Sequence, residues 1–207
     1  MATKKNQHKH WLTINRITSL TDGVFAIVMT LLVLSLDAPE QFHIENAHHL
    51  KLFLVKQWHV LYIYILSFLI LANFWIGHHY RFALLKATNI THLWFNIIFL
   101  MVVALLPFSS SLSGDFPQFW LTQSCFHINM FLISIASLLS WQYASRDQKL
   151  LKDYVAKNII TRINIRLWIT PLISIFCLFL AIFTPSYSSL PYILIPVINK
   201  TIKKDKI

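Results

Sequence analysis

RITSLTDGVFAIVMTLLVL, residues 16–34, decides how this chain is built. From Val24 to Leu34 it carries no charge, and the apolar run continues to Leu36. Read from Ile17 to Leu36, it has the ~20 residues that a helix needs to cross a ~30 Å hydrocarbon core. Within it, Ile27, Leu31 and Leu34 follow the i, i+4, i+7 spacing of one helical face, with Thr30 beside them. Such a stripe ordinarily packs against lipid or a neighbouring helix. If several copies met at an axis, it would form a narrow apolar constriction, which gates by dewetting, and a ring of threonines would offer oxygens to a partly dehydrated cation.

Outward from this stretch the pattern repeats. Further apolar spans are expected at about 57–77, 91–112, 119–143, 164–183 and 186–199, making 1–207 a single six-span, all-α transmembrane domain. The last span is short and holds Pro191 and Pro196, so it relies on its basic tail, on thinning of the bilayer or on packing in the bundle. Met1 to Asn15 is polar and basic and does not read as a cleaved signal peptide. A short surface helix is expected over His43–Val55 in the longest outer loop.

Composition agrees. Apolar and aromatic residues make up 56% of the chain and charged residues only 13%, against about 25% charged in soluble domains. The net charge of +10 would suggest nucleic acid in a soluble protein, but here its distribution speaks for a membrane. Of 18 basic residues all but Lys51 and Lys56 fall in the amino end, the second and fourth loops (Arg81 and Lys86; Arg146 to Arg166) and the carboxyl end. The opposite side holds Asp37, Glu40, Glu45 and Asp115. By the positive-inside rule both termini are cytoplasmic, which requires an even number of spans.

Three glycines exclude a Walker loop, a dinucleotide fingerprint and a TVGYG-type carbonyl filter, so any ion selectivity has to come from side chains. Cys125 and Cys177 sit inside apolar runs and suggest no disulfide. The pairs His48-His49 and His78-His79 fall on opposite sides of the membrane and lack acidic neighbours, so no metal centre is expected. Ser109-Ser110-Ser111 reads as helix-terminal hydroxyls bonded to backbone carbonyls rather than as nucleophiles. Nothing points to an enzyme or to a cofactor.

Asp22 is the single carboxylate within the spans and is therefore a functional candidate. Arg16 lies six positions back, about 120° around an ideal helix, so the two do not face each other. Donors from a neighbouring helix, Trp75, His78 or His79, are expected instead. The plainer alternative is that Asp22 only caps or locks helices together.

Residues 16–34 resemble the signature of the transmembrane protein 175 family of potassium channels, roughly R-x-x-x-F-S-D-x-x-x-A-I-x-x-T-L-L-x-L. Weaker echoes follow in Trp75-Ile76-Gly77-His78 with Phe82, and in Asn96 with Leu105-Leu106-Pro107-Phe108. Leu20 stands where the family has phenylalanine and Thr21 where it has serine; Thr21 keeps the hydroxyl. The resemblance implies a single-repeat, prokaryotic-type subunit, four of which form a homotetramer around one pore lined by their first helices. It implies that Ile27, Leu31 and Leu34 are apolar pore-lining positions, with Ile27 at the constriction and Thr30 facing the pore. It implies too that Arg16, Thr21, Asp22, Trp75, His78 and Asn96 form the network holding that helix. The expected activity is passive K+ permeation in the cell membrane, with moderate selectivity over sodium. The partners are other copies of the chain and the lipid bilayer, with no nucleic acid. The alternatives are a proton-coupled transporter using Asp22 and His78, and a membrane scaffold without transport.

Overall fold

The computed structural model describes residues 13–36, 46–148 and 150–201. Eight α-helices are described: α1 (Ile14–Leu31), α2 (Ala47–Lys56), α3 (Trp58–Ala83), α4 (Ile90–Ala104), α5 (Leu106–Asp115), α6 (Trp120–Ser145), α7 (Lys157–Phe183) and α8 (Leu194–Thr201). The only β contact among the described residues is an isolated bridge between Leu85 and Leu151. Five helical stretches, Ile14–Ser35, Trp58–Ala83, Ile90–Asp115, Trp120–Gln148 and Lys157–Phe183, are long and apolar enough to cross a membrane.

These stretches differ from the hydropathy reading mainly at the basic ends. The second runs on to Ala83 and the fifth begins at Lys157, because the helical backbone continues through charged residues that lower hydropathy. Arg81, assigned above to a loop, lies in the last turn of α3 and is only 8% exposed. The third stretch is two helices joined at Leu105, where Pro107, near the start of α5, lacks the N–H needed to continue the α4 ladder.

At the carboxyl end, the expected span 186–199 is two 3-10 turns, Pro185–Tyr187 and Leu190–Ile193, leading into α8. The 8 residues of α8 rise only about 12 Å. Tyr192 and Ile195 are fully buried in the bundle, so the segment is anchored inward despite its shortness. The expected surface helix appears as α2, whose first turn is capped by Asn46 accepting from the His49 N–H at 3.0 Å. The carboxylates Asp37, Glu40 and Glu45, and Lys4, Lys5, Lys9, Lys203, Lys204 and Lys206, lie outside the described residues.

Two apolar clusters hold the helices. One joins Ile17 on α1 to Phe82, Trp141, Leu151 and Ile163, at the end where the α3–α4 and α6–α7 connections meet. There the Lys86 N–H donates to the Leu150 carbonyl and the Lys152 N–H to the Leu84 carbonyl, both at 2.9 Å. The two expected basic loops therefore share one end of the bundle. The other cluster gathers Phe25 and Val28 of α1, and Leu32 of the 3-10 turn that continues it (Leu32–Ser35), against Leu66, Phe74, Phe99, Leu106 and Met130.

Three of the four serines of α5 are buried glue between helices. Ser110 meets Ser67 at 3.0 Å, Ser109 donates to Asn129 Oδ1 at 3.1 Å as well as to the Leu106 carbonyl, and Ser113 donates to Gln123 Oε1 at 2.7 Å. Small residues permit this close approach. At Gly114 a Cβ would stand 3.2 Å from the Cα of Val60, a backbone atom that cannot swing aside. Gly114→Val is accordingly expected to push α5 off α3 and cost about 1–3 kcal/mol. A thermal melt followed by size-exclusion chromatography checks this, and an unchanged midpoint would show that the two helices separate freely.

Candidate permeation helix

Helix α1 divides cleanly into two faces. Ile17, Thr21, Phe25 and Val28, followed by Leu32, are buried, spaced by three or four residues as one side of a helix requires. Leu20, Gly23, Ile27, Thr30, Leu31 and Leu34 are exposed. At ~100° per residue all of these lie within about 60° of the Ile27 direction. Ile27 is 61% and Leu34 71% exposed, and nothing lies within 4 Å of where a Gly23 side chain would start. The chain thus presents an uncovered apolar stripe in which Thr30 is the one hydroxyl, flanked on one side by exposed Ser19, Ala26 and Val33.

Thr30 is oriented by its own helix. Its Oγ1 donates to the Ile27 carbonyl at 2.7 Å. A hydroxyl has one proton and two lone pairs, so this bond uses the proton and leaves the lone pairs on the exposed side. The oxygen is available as an acceptor only.

Three hydrogen-bonded groups clamp the buried face. Thr21 Oγ1 donates to the Ile17 carbonyl at 2.9 Å and accepts from Asn96 Nδ2 of α4 at 3.2 Å. Asn96 Oδ1 in turn meets His78 Nε2 of α3 at 2.8 Å. A short chain of polar groups therefore joins α1, α4 and α3 inside the bundle. Separately, Trp75 Nε1 of α3 donates to Asp22 Oδ1 at 2.8 Å, and His79 Nδ1 lies 3.9 Å from the same oxygen.

Five of the six expected network residues are thus brought together, as two neighbouring ties rather than one. Asp22 takes Trp75 and His79 but not His78, whose partner is Asn96. Arg16 is exposed at the start of α1, and the structure does not draw it into either tie. Leu20 is exposed on the same stripe as Ile27, so the aromatic that usually stands there would project outward rather than pack within the subunit.

Sequence reasoning missed the aromatic column behind the clamp. The His78 ring stacks on Phe82 at 4.0 Å between centroids and lies parallel to Phe99 at 5.8 Å, and Phe99 also contacts Phe25 of α1 at 5.9 Å. The i, i+4 spacing of His78 and Phe82 on one helix face was the available signal. Among the described residues no group of three histidine, cysteine or acidic side chains is placed to hold a metal.

Comparison with known proteins bears on this helix directly. The family described as the endosomal/lysosomal potassium channel TMEM175 matches residues 16–107, which covers α1 from its third residue and all of α2, α3 and α4. A potassium channel of Chamaesiphon minutus is 30% identical over 139 residues, 66% of this chain and 68% of its own. The zebrafish endosomal/lysosomal proton channel TMEM175 is 23% identical over 206 residues, 95% of this chain and 38% of its own. The crystal structure of a lysosomal potassium-selective channel TMEM175 homologue from Chamaesiphon minutus superposes with a TM-score of 0.80. It is 24% identical and the match covers 92% of this chain and 98% of that one, which establishes a common fold.

Proposed function

This chain belongs to the TMEM175 family, and from that premise we propose that it is one subunit of a potassium-permeable channel whose pore is lined by α1. The observation that carries the reading is the uncovered stripe of Leu20, Ile27, Thr30, Leu31 and Leu34 on a helix whose opposite face is fixed by two polar ties. A helix meant only to face lipid has no need of such exact rotation. One meant to present chosen side chains to an axis does.

In the proposed assembly, four copies sit in the cell membrane with both termini cytoplasmic. Each subunit contributes six spans, α8 and the turns before it standing for the sixth. Ile27 forms the apolar constriction and potassium moves passively down its gradient. No carbonyl filter is involved, and K+ is the permeant ion rather than a cofactor. Thr30 supplies an oxygen whose lone pairs already point outward, replacing part of the ion's hydration shell.

The test is flux into liposomes containing the full chain. Fast potassium flux, slower sodium flux and no need for a proton gradient are the expected results. Potassium flux no faster than in empty liposomes, with the protein demonstrably inserted, would remove the channel reading. Thr30→Val keeps the shape and deletes the acceptor, so it is expected to reduce the potassium-to-sodium permeability ratio by about threefold, roughly 0.6 kcal/mol of discrimination. An unaltered ratio would take the hydroxyl out of the permeation path.

Proton permeation is the second reading, favoured by the name of the zebrafish relative. Its residues would be Asp22 and His79 rather than Asp22 and His78, because only the former pair lies within ion-pair distance. Flux that follows a proton gradient would select it.

A further inference from the structure

Behind the α1 clamp, Arg81 is buried without a countercharge. Its NH2 donates to Ser137 Oγ of α6 at 2.7 Å, which accounts for one of five N–H donors. Among the described residues no carboxylate lies within 4 Å of it. Asp22 is held by Trp75, Asp153 by Lys86 and Asp115 by Ser111, and Asp147 is exposed just after α6. Its position in the last turn of α3 lets the helix dipole offset part of the charge. That effect is small beside the cost of desolvating a full guanidinium charge.

The guanidinium borders a cavity of about 10 Å³ lined also by His78, His92, Ser137, Ser140 and Trp141. This is about the volume that holds a single small occupant. Trp141 is 2% exposed, and its Nε1 has no hydrogen-bond partner. A buried unpaired donor is costly and calls for an explanation. Ser137 accepts from Arg81, which leaves its own proton free. His92 is already engaged through both ring nitrogens, by Thr88 at 3.1 Å and Ser140 at 3.3 Å.

Three lining groups have protons to give, Arg81, Trp141 Nε1 and the Ser137 hydroxyl, while His78, whose Nε2 donates to Asn96, keeps an acceptor in its other ring nitrogen. A water there would need acceptors for its two protons, could accept from at most two donors, and would leave the guanidinium charge uncompensated. A monatomic anion needs no acceptor, satisfies several donors at once and neutralises the buried charge. Gly77 leaves room for the arrangement, since a Cβ there would stand 3.1 Å from Arg81 NH1 and crowd the guanidinium by a few tenths of an ångström.

We propose that the Arg81–Ser137–Trp141 cavity is a structural binding site for one halide ion, chloride under ordinary conditions, that locks α3 to α6. Sulfate and phosphate are bulkier than a halide and are expected to be excluded by so small a cavity. It is independent of the permeation reading, because it faces the interior of the subunit.

The test uses the full purified chain at constant ionic strength, with potassium gluconate or potassium sulfate replaced stepwise by potassium chloride or bromide. The melting midpoint is expected to rise saturably with either halide and not with sulfate. Trp141→Phe keeps the ring and removes the donor, and is expected to raise the half-saturating halide concentration about tenfold. Arg81→Gln is expected to abolish the halide response. Crystals grown in bromide are expected to show an anomalous peak between Arg81 and Trp141, which decides the matter even if Arg81→Gln does not fold. No peak there, or a halide response that is unchanged in Trp141→Phe, would show that the cavity holds water and overturn the proposal.

Discussion

Replacing Ile27 by alanine is expected to raise potassium flux about tenfold and to blur the preference for potassium over sodium. Ile27 is the exposed centre of the α1 stripe and buries little within its own chain, at 61% exposure. In the proposed tetramer, four such side chains meet. Each substitution removes three carbon atoms from the constriction, so its lining loses apolar surface and gains width together. Water then occupies the gap more readily, and the ion sheds less of its shell. A barrier lowered by only ~1.4 kcal/mol gives a tenfold rate, a modest demand for losing four isoleucine side chains. Because the residue is exposed, melting of the protein is expected to shift by less than about 0.5 kcal/mol. Flux and stability are therefore separable readouts. Ile175 on α7, also exposed, is the control for an exposed isoleucine away from α1. If Ile27→Ala and Ile175→Ala both leave flux unchanged, Ile27 does not line the permeation path and the pore lies elsewhere.

How much of this was written in the sequence depends on the kind of contact. The rotation of α1 was legible because helical period and side-chain chemistry coincide: Ile27, Leu31 and Leu34 share a face in any helix. Trp75 as the partner of Asp22 was legible as one of three candidates, because a carboxylate in a span has to find a donor. Which donor it finds depends on how α3 is rotated against α1, and no spacing within either helix encodes that. The same limit hid the link from Thr21 through Asn96 to His78, which requires three helices to be placed at once.

Arg81 was misassigned for a related reason. Hydropathy treats each residue as if it faced lipid, whereas Arg81 turns inward to Ser137 and over Gly77. The carboxyl-terminal segment shows the converse. Charge parity asked for a sixth crossing, yet Pro185 and Pro191 start two 3-10 turns ahead of the short α8, and the anchoring of this segment by Tyr192 and Ile195 is something no hydropathy window reveals.

Asn96→Leu is expected to have the largest effect on the clamp itself. Asn96 is 1% exposed and is nearly matched in size by leucine, so the substitution opens no large cavity. It strands two buried groups instead, His78 Nε2 and the acceptor side of Thr21 Oγ1. In a water-soluble protein each would cost about 1–3 kcal/mol. In a bilayer, hydrogen bonds between helices average nearer 0.6 kcal/mol, because the separated helices also find partners. The expected total is about 1–3 kcal/mol, and a fall of about 5 °C in the melting midpoint. The potassium flux is expected to fall with it, since α1 keeps only Trp75–Asp22 and its apolar face to fix the direction of Ile27 and Thr30. Thr21→Val removes one of the same bonds from the other side. The double variant is therefore expected to lose about 0.5–1 kcal/mol less than the sum of the singles. Strict additivity would mean that Thr21 and Asn96 act separately. A destabilised Asn96→Leu protein with normal flux would mean that the clamp holds the subunit together without aiming its pore-facing side chains.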